Sequence, residues 1–234
     1  MTQETFEKLV DFVQSTSANP PDHLFAHGVE DWHARARLAH FLCMEGIDKN
    51  QEAEELFLSI ADIEPDMENS QDVEEKIYAM QRLGLLYREQ KKYDEAMNYI
   101  CNAIELAENT DYLFKYILRG ELWADRWNLL HLMKLTKEAE EEVDDRIEAY
   151  TDIPIQYNSY LYYGYRFKAQ LAAERGVVLV AKDYMHMAIH SMAVPESYKP
   201  GLEKAFAAKH ENASWILAEV DKATPNPDNL EWDI

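Results

Sequence analysis

Four alanines set the frame for this chain. Ala53, Ala96, Ala139 and Ala181, in the stretches QEAEELFLSI, DEAMNYICNA, KEAEEEVDDR and LVAKDYMHMA, stand 43, 43 and 42 residues apart. A fixed spacing of that length points to stacked supersecondary units before any local assignment is made. Four residues after each alanine comes an apolar side chain (Phe57, Ile100, Val143, Met185), and seven after come Ile60, Ala103, Arg146 and Ala188. These positions share one helical face, with Arg146 the exception. Upstream of each alanine lies a second helical pattern: Leu38 and Leu42, then Met80, Leu83, Gly84 and Tyr87, then Trp123, Trp127 and Leu130, then Tyr165, Ala169 and Ala172. Each unit is therefore expected to be a helical hairpin. The breaks agree, with EGIDKN, EQKK, MKLT and ERG inside hairpins and IEPDMENS, AENTD and YTDIP between them. No strand-like alternation of useful length occurs, and the expected fold class is all-α.

Charge narrows the partners. The 234 residues carry 23 Lys and Arg against 44 Asp and Glu, a formal charge of −21. Such a field repels phosphate backbones and anionic lipid, so neither nucleic acid nor membrane is expected as a partner. The 47% apolar and 12% aromatic content is too rich for a disordered acidic chain, and the charge must coat a packed interior. Cys43 and Cys101 lie inside apolar helical patterns, which predicts buried thiols without a disulfide. The longest apolar run, Val177 to Ala181, is far below spanning length, and the acidic N-terminus is unlike a signal peptide. The expected location is the cytoplasm.

Leu83, Gly84, Tyr87, Ala96, Ile100 and Ala103 resemble the tetratricopeptide repeat, which pairs Leu-Gly and an aromatic in its first helix with an alanine, a bulky residue and a second alanine in the next. Ala53, Phe57 and Ile60 repeat the second half in the first unit, with Pro65 where the family often ends a repeat. The third and fourth units depart from the pattern, with Trp127 and Ala169 in place of the small glycine and Arg146 in place of a small residue. A 43-residue spacing also exceeds the family's usual 34, as in longer variants of the repeat. The resemblance covers roughly residues 30–192 and implies a right-handed superhelical solenoid of about four antiparallel hairpins. Small residues at Gly84, Ala96 and Ala103 then let two helix axes approach closely.

Terminal repeats must present a polar face to water. Residues 1–20, with Phe6, Leu9, Val10 and Val13 on one stripe, are read as an N-terminal capping helix. Residues 197–221, with Phe206, Trp215 and Ile216, are read as a C-terminal one. Residues 222–234 form an acidic tail, in which Leu230, Trp232 and Ile234 are either a short linear motif or loosely packed.

The resemblance places binding on the inner surface lined by the first helix of each hairpin. Carried over residue by residue, it implies a peptide groove of Tyr78, Gln81, Leu85 and Arg88, then Asn128 and His131, then Tyr163, Arg166 and Gln170. Amides can satisfy peptide backbone groups, and Tyr and Arg supply hot-spot energy when desolvated. The family's carboxylate clamp of Lys and Asn is missing, since His33, Ala36 and His40 occupy that face of the first unit. Tyr157, Tyr160 and Tyr165 read as rings buried between hairpins, with Tyr163 the best of the cluster for the groove. The run Glu138–Glu148 is either a solvated face or a site for a basic partner. The expected function is a non-catalytic adaptor or regulator that binds a protein or peptide segment and needs no cofactor. The alternative is a metal-dependent protein built on Asp183, His186 and His190, at i, i+3 and i+7, with His23 and His27 as a second pair.

Overall fold

A computed structural model describes residues 1–16, 19–45, 50–110, 115–152 and 158–191. Among them the chain forms α-helices and two 3₁₀ turns, with no strand. The helices are α1 (Gln3–Gln14), α2 (Trp32–Glu45), α3 (Asn50–Ala61), α4 (Ser70–Glu89), α5 (Tyr93–Glu108), α6 (Lys115–Leu132), α7 (Thr136–Tyr150), α8 (Ser159–Glu174) and α9 (Val178–His190). The 3₁₀ turns, Asp22–Phe25 and Gly28–Glu30, lie between α1 and α2. None of these helices is long and apolar enough to cross a membrane. The C-terminal helix and tail expected over 197–234, and Tyr157, lie outside the described residues.

The alanine spacing has a uniform structural meaning. Ala53, Ala96, Ala139 and Ala181 are each the fourth residue of α3, α5, α7 and α9, and each is fully buried. Phe57, Ile100, Val143 and Met185 follow them into the core, as do Ile60, Ala103 and Ala188. Arg146, the departure from the pattern, lays its guanidinium 4.0 Å from the centre of the Trp123 ring. A cation over an indole face thus replaces a small apolar contact.

Three of the turns joining these helix pairs are also alike. Lys91, Lys134 and Gly176 adopt positive φ (61°, 69° and 73°). Lys92 N–H donates to Tyr87 O, Leu135 to Leu130 and Val177 to Ala172, while Lys91, Lys134 and Gly176 donate to Arg88, His131 and Ala173. This double bond pattern around a left-handed residue is a Schellman cap, which satisfies the terminal carbonyls of the first helix and reverses the chain. Only Gly176 has the residue type that makes such a turn easy.

The chain divides into two compact units, residues 1–113 and 114–234. In the first, α2 packs on α3, α3 on α4 and α4 on α5. Gly84 allows the last of these, because a Cβ there would fall 2.7 Å from the Ile100 side chain. Phe6, Leu9 and Val13 of α1 are buried, and α1 rests on α2 and on the second 3₁₀ turn. Lys76 turns inward from α4 to the end of α3, where its ammonium donates to the carbonyls of Ile60 (3.1 Å), Ala61 and Ile63 (2.8 Å). A cation there meets the negative end of the helix dipole. Burial lowers its pKa.

In the second unit, α6 packs on α7 and α8, and α8 on α7 and α9. Trp127 is fully buried, with Phe167 beside it at 6.1 Å. Asn158 caps α8 through Leu161 N–H (3.2 Å) and donates to Tyr150 O (2.8 Å), tying the end of α7 to the start of α8.

Each unit links its two helix pairs in the same way. Gln90, after α4, donates to Glu54 of α3 at 2.8 Å, and Arg175, after α8, holds Glu140 of α7 at 2.7 and 2.8 Å. Both donors stand six residues before the alanine of their own pair, and both acceptors stand one residue after the alanine of the preceding pair.

Candidate functional site

In the first unit, the first helices α2 and α4 meet along a polar seam. His33, Arg37 and His40 recur at i, i+4 and i+7 on α2, opposite Asp72, Glu75, Tyr78 and Arg82 on α4. His33 bonds Glu75 through Nδ1 and lies 3.3 Å from Asp72 through Nε2. Arg37 reaches Glu75 at 3.3 Å and Asp31 at 3.6 Å, and Gln71 adds a third bond to Glu75 at 3.1 Å. Further along, Tyr78 Oη bonds His40 Nδ1 and accepts from Arg82 Nε at 2.7 Å. The Arg82 guanidinium lies 4.8 Å from the centre of the Tyr78 ring.

Electrostatics follow from burial. Desolvation, then the adjacent Arg82 charge, lowers the pKa of His40 and favours its neutral form. Burial raises the Cys43 thiol, against a smaller opposing effect of Arg82, which leaves it a weak nucleophile. Cys43 and Cys101 are half-buried rather than fully buried, and neither forms a disulfide.

The residues expected to line a groove fall into distinct environments. On α4, Tyr78 belongs to the seam, Leu85 and Arg88 are half-buried, and Gln81 is only 3% exposed. In the second unit Asn128 donates back to Ala124 O at 2.8 Å on its own helix. His131 contacts Thr136 Oγ1 at 2.9 Å through Nδ1 and Glu174 at 3.0 Å through Nε2, and Gln170 donates to the same Glu174 at 3.1 Å. Glu174 thus brings His131 and Gln170 together. Arg166 lies 5.8 Å from the centre of the Tyr163 ring, which is itself 5% exposed and packs edge-on against Tyr162. Tyr160 is fully buried and stacks on Tyr150 at 3.8 Å, while Tyr165 is half-buried beside Tyr184.

Several participants escaped the sequence reading. Arg37, Asp72, Glu75 and Arg82 were visible only as spacing, because their partners lie up to 42 residues away. Gly120 is another: its N–H donates to Ser159 Oγ at 3.2 Å, and a Cβ on it would fall 2.4 Å from Ser159. The acidic run Glu138–Glu148 is more than a solvated face. Glu140, Glu142 and Asp144 are paired with Arg175, Arg126 and Lys168, and Arg175 lowers the pKa of Glu140. Asp183 and His186 are exposed on α9, and the His190 side chain is outside the described residues. His23 and His27 are exposed on or beside the 3₁₀ turns. Among the described residues no group of three or more His, Cys, Asp and Glu is arranged to hold a metal.

Charge separates by helix type. The first helices α2, α4, α6 and α8 together contain ten Lys and Arg and eight Asp and Glu, whereas the second helices α3, α5, α7 and α9 contain three and fifteen. Most of the chain's acidity is thus held away from the helices that carry the seam and the expected groove residues. Comparison with protein-family models, curated proteins and solved structures finds no match.

Proposed function

We propose that this chain is a non-catalytic adaptor or regulator, a tetratricopeptide-like array of helical hairpins between terminal capping helices, that holds a protein or peptide segment against the faces of its first helices. The observation that carries the reading is the separation of charge between helix types. The second helices α3, α5 and α7 are strongly acidic and α9 is balanced, while the first helices are close to neutral and present tyrosine, arginine, histidine and amide groups in half-buried settings. Those groups give contact area and hydrogen bonding without a large like-charge barrier. The repeated Gln90–Glu54 and Arg175–Glu140 links support the repeat reading, since successive pairs related in one way stack by a common rule. Two half-buried cysteines without a disulfide suit a reducing compartment such as the cytoplasm.

Capture of partners from native lysate tests the reading. The full chain is compared with an Arg88→Ala/Arg166→Ala variant on α4 and α8 and a Glu138→Ala/Glu141→Ala variant on α7. The expected result is loss of the same prey in the first variant alone. Equal retention in both removes the first-helix faces from consideration.

A further inference from the structure

Among the described residues, Arg82 shares the lack of a carboxylate partner with Arg35, Arg146 and Arg166, and is set apart by its bond to a phenol that also meets a histidine. Arg37, Arg126 and Arg175 are each held by a carboxylate. Arg82, half-buried on α4 of a chain with 44 acidic residues, has none among the described residues. Its single hydrogen bond there runs from Nε to Tyr78 Oη. A guanidinium can only donate, so the phenol oxygen accepts from Arg82, and the same oxygen shares a hydrogen bond with His40 Nδ1. A His40 ring kept neutral by burial fits this arrangement. The groups left over at Arg82 are then all donors, the Nη hydrogens of a guanidinium that has no acceptor. Around them stand the neutral thiol of Cys43 on α2 and, on α4, the half-buried Leu85 and the exposed Glu89. A basic or apolar occupant would leave a half-desolvated positive charge uncompensated.

We propose that Arg82, oriented by Tyr78 and His40, is an anion site that takes the side-chain carboxylate of an Asp or Glu in a bound peptide, with Leu85, one turn on, receiving an apolar neighbour. This deepens the adaptor reading and rests on it. The chain's overall charge of −21 does not forbid an acidic ligand. A helix is about 10 Å across, and the Debye length at physiological salt is about 8 Å, so charges on the far side of the second helices are largely screened at α4. The guanidinium is already fixed by its bond to Tyr78 and its place over the ring, which reduces the ordering needed on binding.

The test uses the full chain and calorimetry at physiological salt. The probes are a hexapeptide of alternating Glu and Leu capped at both ends, its Gln and Leu counterpart, and inorganic phosphate. Capping removes the chain-end carboxylate as a ligand. The Glu peptide is expected to bind at least about tenfold more tightly than the Gln peptide, and Arg82→Gln to abolish that preference. Tyr78→Phe keeps the charge but frees the guanidinium, and is expected to weaken binding about threefold to tenfold. Lys137→Gln removes the same charge from an exposed site on α7 and is expected to change binding less than about twofold. Circular dichroism melts establish that each variant is folded. Equal affinity for the two peptides, equal effects of Arg82→Gln and Lys137→Gln, or displacement of the Glu peptide by equimolar phosphate would overturn the proposal. Failure of the peptide test while partner capture stays sensitive to Arg88 and Arg166 removes only the carboxylate chemistry. Failure of both removes the face.

Discussion

The two units build the junction between their first helices from different materials. In the first, α2 and α4 meet through long polar side chains: His33 and Arg37 with Asp72 and Glu75, and His40 with Tyr78 and Arg82. In the second, α6 and α8 approach almost backbone to backbone at Gly120 and Ser159, then fill the remaining space with Trp127 and Phe167. The His33, Arg37, Asp72 and Glu75 side chains of the polar seam stay partly open to water, at 13–26% exposure, whereas a close-packed junction has no slack. On the proposed adaptor reading, the first unit is the place for adjustable recognition and the second its support.

Substitutions can break or sharpen this contrast. The largest effect is expected from Trp127→Ala, which empties the centre of the second unit and should lower stability by about 3–5 kcal/mol. Hydrogen exchange resolved by segment should show the loss in α6–α9 while α1–α5 keep their protection. Gly120→Ala comes next: the new Cβ meets Ser159 at 2.4 Å, and overpacking of this kind costs about 1–3 kcal/mol. Ala96→Leu, on the tight α4–α5 contact of the first unit, belongs to the same range of about 1–3 kcal/mol and should lower the melting temperature. Lys91→Gly acts in the opposite direction. Relief of a left-handed non-glycine residue should stabilise α4–α5 by up to about 1 kcal/mol, seen as a raised denaturant midpoint with unchanged slope.

The seam also carries a pH signature at His40. His40 has a folded pKa below its ordinary 6.5, so the unfolded chain takes up that proton first. Stability from this source is intact above about pH 6.5 and falls as pH drops from there through the lowered folded value. His40→Gln should flatten that part of the stability–pH curve for α2–α4, as measured by urea unfolding between pH 7.5 and about 5.

Much of the architecture was legible because small residues leave a periodic trace. Ala53, Ala96, Ala139 and Ala181 occupy equivalent helix positions, and nothing but close helix packing demands a small side chain there at constant spacing. The turns were less legible. Lys91 and Lys134 hold conformations that glycine normally marks, and the bonds to Tyr87 and Leu130 that impose them leave no residue-type signal. Gly120 could not be interpreted without Ser159, 39 residues away. The groove reading named residues on the first helices but carried no measure of how deeply neighbouring elements cover them. Tyr78, Leu85, Arg88 and Arg166 stand half-buried, whereas Gln81 and Tyr163 are buried, because periodicity gives direction from a helix axis and not the thickness of what packs on it. Arg82 sits one residue from the expected Gln81, a 100° rotation on the helix, and that offset separates the seam from the core.

Hydrogen-exchange footprinting of the chain with and without its captured partner tests the central claim most directly. The account predicts added protection in peptides from α4, with α2 or α8, and unchanged exchange in α3, α5 and α7. Protection centred on the acidic second helices, with α4 and α8 unaffected, would contradict it.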